Sequence, residues 1–127
     1  MSEMTGIATT AVDDLRELTA PRIASSQEFV ARVGRYFAGD RDEDFESWDR
    51  ATLRVVTAMA AIVTAASGNS VAVVSHGRIL TVWFSHWLQR RLSVSEWQAI
   101  RMPDLSVVDL DSRRVESGFF ANLSSQR

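Results

Sequence analysis

A chain of 127 residues, 46% hydrophobic and 24% charged, is long enough for one domain with a real core and has ordinary globular composition. A net charge of −2 excludes nucleic-acid binding by bulk phosphate neutralisation, and the absence of cysteine excludes disulfides, a thiolate nucleophile and thiolate metal sites. The N-terminus, MSEMTGIATT, lacks a basic run followed by an apolar stretch, and segments 55–66 and 79–88 are too short to span a bilayer, so a cytoplasmic protein with no membrane partner is expected.

GIATTAV (6–12) is rich in β-branched residues and reads as a short strand. DDLREL (13–18) follows as a turn or single helical turn that ends before Pro21. Ser25 and Glu28 have capping-box spacing, in which hydroxyl and carboxylate satisfy free helix N–H groups. Phe29, Val30, Val33 and Phe37 then share one helical face, and Gly39 ends that helix. GDRDEDFE (39–46) is an acidic loop of mobile character. Ser47 can cap a helix over 48–66, which SGNS (67–70) terminates.

VAVVS (71–75) shows no polar alternation, the pattern of a parallel strand covered on both faces. A helix over 78–91 carries Leu80, Trp83, Phe84, Trp87 and Leu88 on its apolar side. Ser93 and Glu96 repeat the capping-box spacing before a short helix with Trp97, and segments 105–111 and 113–118 read as a hairpin. The order β, α, α, β, α, α, β, β describes a single α/β domain over 1–127, with a partly parallel sheet flanked by helices.

His76 falls where the apolar run gives way to the helix. Ligands of open α/β sheets collect at the carboxyl ends of strands, and unpaired N–H groups in a helix's first turn favour phosphate. Gly77 would let an anion approach the backbone, and an imidazole there could donate to an anionic oxygen or carry a proton. The plainer alternative for His76 is a satisfied histidine at a strand end. His86, ten residues on, lies about 15 Å along the same helix, too far to share one phosphorus atom with His76. It reads as a histidine on a half-buried helical face.

The apolar strand, SHG, the long helix and RMPDLSVVDLD together resemble the C-terminal part of the histidine phosphatase superfamily, the phosphoglycerate mutase-like fold. DDLREL looks like that family's segment carrying an acidic residue. FESWDRATLRVVTAM looks like its GES segment and following helix, with Phe45 where glycine is usual. The resemblance spans about residues 7–118.

It implies that His76 is the second histidine, which contacts the phosphoryl group but is not the nucleophile; Gly77 keeps the phosphate-binding role read from its position. It implies that Glu17 protonates the leaving group and later activates water, against the plainer reading of a solvated charge. Glu46 matches the glutamate of GES, against the plainer reading of a carboxylate at a helix N-terminus. The family's nucleophilic Arg-His-Gly motif and its second phosphate-clamping arginine do not occur in the 127 residues.

The expectation is therefore a phosphoglycerate mutase-like domain missing its N-terminal strands. In full-length form it would hydrolyse or transfer phosphoryl groups of a small phosphorylated metabolite; this chain would be inactive alone. The competing expectation is a non-catalytic module that binds an anion or a partner. No cofactor and no metal are expected, because two histidines far apart on one helix do not make a coordination site. A homodimer through exposed sheet edges is expected as partner.

Overall fold

A computed structural model describes residues 9–101, 103–121 and 123. A 3-10 turn, Asp13–Leu15, is followed by α1 (Ser26–Phe37), α2 (Trp48–Ala66), α3 (Gly77–Leu88), α4 (Val94–Gln98), β1 (Ser106–Asp109) and β2 (Arg114–Gly118). Helix starts follow the expected serines. Ser25, Ser47 and Ser93 each accept a backbone N–H three residues on, and Ser93 and Glu96 close a full capping box. Helix α3 starts one residue earlier than expected and stops at Leu88, because Gln89 turns into the left-handed region at φ 60°.

The core is built by helices. Val33 and Phe37 of α1, Val55 of α2 and Ile79 and Val82 of α3 enclose Leu15 and Leu18 from the N-terminal segment. A second cluster joins Phe84 and Leu88 of α3 to Leu92 and Val115, so the hairpin packs on the far end of the same helix. Phe119 and Phe120 meet the Phe84 ring edge-on, at 5.8 and 5.1 Å between centroids. The hairpin pairs Val108 with Val115 and Asp109 with Arg114, antiparallel, with an irregularity between Val107 and Val108. Gly118, at φ +86°, is required at its end: a side chain there would collide with the Leu105 carbonyl.

Two strand expectations are corrected. Among the described residues the only sheet is β1–β2, so a partly parallel sheet is not present. Residues 71–75 form no ladder and make no backbone–backbone hydrogen bond among the described residues. Val73 packs against the core, but Val74 is 91% and Val71 50% exposed. Apolar character alone cannot make a strand; a ladder needs neighbouring backbone, and none of the described segments supplies it. Of 6–12, residues 9–12 are exposed and form no strand, and 6–8 lie outside the described residues.

The loop 39–46 is also more firmly held than expected. The Arg32 guanidinium grips the Asp42 carboxylate through contacts of 3.0, 2.6 and 2.6 Å, and this direct hydrogen bonding holds the Asp42 carboxyl below the usual carboxylate range. Phe45, where the resembled family has glycine, is buried with its ring stacked on Tyr36 at 4.7 Å. No helix among the described residues is long and apolar enough to cross a membrane.

Candidate functional site

Glu17 sits in a segment of irregular backbone, and such a segment holds one shape only if its polar groups find partners. Here other parts of the chain supply them. Arg54 Nη1 donates to the carbonyls of Asp14 (2.7 Å) and Arg16 (2.9 Å), and Ser75 Oγ donates to that of Leu15 (2.7 Å). Arg78 Nη2 donates to Leu18 O at 3.1 Å, and the Glu46 amide donates to Thr19 O at 3.0 Å. Leu15 and Leu18 anchor the segment in the core on either side of Glu17.

The result is a carboxylate delivered to the start of α3. Glu17 Oε1 accepts from the Leu18 and Ile79 amides, both at 2.8 Å, and Oε2 accepts from the Arg78 amide at 3.2 Å. His76 is the N-cap residue of that helix, extended at φ −129°, and its side chain makes no capping bond. A residue from a distant segment thus does the work usually done by a local cap, and its negative charge suits the positive end of the helix. Of the first-turn amides that follow His76, two are occupied by Glu17.

His76 itself is exposed, and its carbonyl starts the helix by accepting the Leu80 amide at 3.0 Å. Glu17 and His76 are therefore brought to one helix end. Gly77 is buried, and the group that approaches it is protein: a Cβ at this position would lie 3.2 Å from Trp97 Nε1. Small size at Gly77 thus lets α4 pack on α3. His86 is exposed on the last turn of α3, not on a half-buried face. Arg78 Nε, buried and without a hydrogen-bond partner, lies 3.8 Å from Glu17 Oε2, while its guanidinium stands over the Phe29 ring at 5.1 Å.

Glu46 is placed in a supporting position. Its carboxylate forms a two-pronged pair with Arg54, at 2.9 Å (Oε2 to Nε) and 2.8 Å (Oε1 to Nη2). Direct hydrogen bonding to Arg54 is the main force holding its carboxyl below the usual range. Tyr36 donates its hydroxyl to the Glu46 carbonyl at 2.9 Å, and burial pushes the phenol well above its usual range. Sequence reasoning missed Arg54 and Arg78. Both stand within helices, where spacing gives no sign that they reach back to 14–18.

A cleft of about 640 Å³ lies elsewhere, between the acidic loop and Trp48, and its lining includes neither Glu17 nor His76. There the Arg91 guanidinium lies over the Trp48 ring at 3.9 Å. Among the described residues no group of three or more His, Asp or Glu side chains could hold a metal ion.

The site geometry is thus a helix that begins at a Ser-His-Gly turn, with a carboxylate from an upstream irregular segment on its first amides. The family model of the histidine phosphatase superfamily (branch 1) matches residues 2–119, and the chain belongs to that superfamily. It matches none of the curated proteins at a significant level, and none of the solved structures. Membership supports a phosphatase- or mutase-like function.

Proposed function

We propose that this domain handles the phosphoryl group of a small phosphorylated metabolite, in hydrolysis or transfer. His76 contacts the phosphoryl oxygens beside Gly77, and Glu17 serves the leaving group as proton donor and then water as base. The observation that supports this is the delivery of Glu17 to the first turn of the helix that His76 opens. To give up a proton, the carboxyl must free one oxygen from its amide contacts, so the reading includes a shift of Glu17 when substrate arrives.

Covalent phosphoryl transfer also needs a nucleophile and cationic clamps. The two histidines of the sequence are His76 and His86, and no Arg-His-Gly motif occurs. Turnover in this reading therefore requires an Arg-His-Gly segment beyond the 127 residues, and the chain alone binds without turning over. An in-frame Arg-His-Gly encoded just upstream of Met1 would support a truncated enzyme.

A second reading, a phosphatase-like module that binds an anion or partner without catalysis, is favoured by one observation. Glu17 already accepts the Arg78 and Ile79 amides, two of the first-turn donors that a phosphate would use. Self-association of two copies through residues 71–75 belongs to both readings, because those residues have no backbone hydrogen-bond or ladder partners among the described residues.

The test is titration of the purified chain with inorganic phosphate and glycerol phosphate, following the His76 ring protons by NMR. Saturable shifts that persist in His86→Ala and vanish in His76→Ala support the reading. Flat titrations with both ligands would overturn it.

A further inference from the structure

We infer that Arg54 is the positioning residue for Glu17, setting where that carboxylate stands relative to the start of α3. Its catalytic meaning rests on the function proposed above; its structural content does not. Arg54 is only 8% exposed at its side chain, and all three guanidinium nitrogens are engaged. Nε and Nη2 hold Glu46, whose side chain is 13% exposed, while Nη1 is shared between the carbonyls of Asp14 and Arg16.

Those carbonyls bracket the turn into Glu17. Fixing both fixes the direction in which the chain leaves Arg16, and hence the reach of the Glu17 side chain toward Arg78 and Ile79. The guanidinium itself makes no hydrogen bond to the Glu17 carboxylate, so the effect passes through backbone.

Only arginine can do this here. A planar guanidinium presents donors in a fixed fork, so one edge can grip a carboxylate while another nitrogen serves two carbonyls. Lysine keeps the charge and can still pair with Glu46, but one ammonium cannot span all three acceptors. Glu46 directly precedes Ser47, the N-cap residue of α2, and its backbone carbonyl accepts the Tyr36 hydroxyl from α1, so the clamp is anchored on helices α1 and α2. Arg54 thus links the core to the Glu17 segment without touching the site.

The experiment is a pH titration of backbone amide shifts in the 127-residue chain, in parent, Glu17→Gln, Arg54→Met and Arg54→Lys. In the parent, the Ile79 and Arg78 amide protons should follow the Glu17 carboxyl and lose their pH dependence in Glu17→Gln. The inference expects that dependence to fall by more than half in both Arg54→Met and Arg54→Lys, while the amides of Leu92 and Val115 in the second core cluster keep their parent shifts.

Parent-like titration of Ile79 in either Arg54 variant would overturn it. If Arg54→Met does not fold, Arg54→Lys decides. Collapse of the whole spectrum in both also counts against it, because Arg54 would then be a residue of the fold and not a positioner. The phosphate titration of His76 reports separately on the proposed function, so either can fail alone.

Discussion

Glu17 Oε1 accepts the backbone N–H of Ile79 at 2.8 Å, joining residues 62 positions apart. Oε2 takes the neighbouring Arg78 amide, so one side chain satisfies two of the free donors at the start of α3. His76, the N-cap residue, contributes backbone only. Capping is therefore separated from the N-cap side chain: the distant acid holds the helix start, and the His76 imidazole makes no capping bond.

That separation has a stability signature. Glu17→Ala should lower unfolding free energy by about 1–2 kcal/mol, because it removes a charged cap and leaves helix amides without their partner. His76→Ala should change it by less than about 0.5 kcal/mol, as expected for an exposed side chain with no capping bond. Urea denaturation of both variants checks this; equal losses would place His76 in the fold.

The Glu46–Arg54 pair should make the fold acid-sensitive. Arg54 lowers the folded-state pKa of Glu46 below its unfolded value, so the stabilisation is complete above the unfolded value, about pH 4.3. It is lost as pH falls through the folded value. Glu46→Gln should cost about 2 kcal/mol at pH 6, since it weakens the charge-assisted hydrogen bonds of a largely buried guanidinium. The gap between parent and variant should shrink by pH 3. Urea midpoints at the two pH values check it, and a constant gap would contradict the assigned pairing.

Much of the helical framework was legible locally. Ser25, Ser47 and Ser93 mark their helices because an N-cap hydroxyl acts three residues away, and the β1–β2 hairpin is likewise a short-range structure. What was not legible is what depends on distant neighbours. VAVVS has the composition of a buried strand, but composition does not say whether other backbone lies alongside, and Val74 faces solvent. Glu17 as a helix cap, Arg54 on the carbonyls of Asp14 and Arg16, and Trp97 against Gly77 all join segments far apart in sequence. The local pattern DDLRE is equally consistent with a solvated charge.

Residues 71–75 should govern self-association. Two copies of this uncharged segment, whose backbone has no partner among the described residues, can pair antiparallel across a twofold axis, each completing the other's backbone hydrogen bonds. Light scattering after size exclusion should show a concentration-dependent dimer that weakens in Val74→Arg, a substitution at a solvent-facing position. A sharply melting monomer at every concentration would contradict this.

The chain alone should hydrolyse p-nitrophenyl phosphate no faster than its His76→Ala variant, because it contains no Arg-His-Gly nucleophile. Turnover that vanishes in His76→Ala would reveal a nucleophile not identified in the sequence.

His76 and Glu17 are proposed to form one phosphoryl-handling site at the start of α3. A crystal structure of the chain with tungstate, a phosphate mimic, tests it most directly. The anion should lie within hydrogen-bonding distance of the His76 ring, with the Glu17 carboxyl in the same cleft. Tungstate bound elsewhere, or His76 and Glu17 opening onto opposite sides of the molecule, would contradict it.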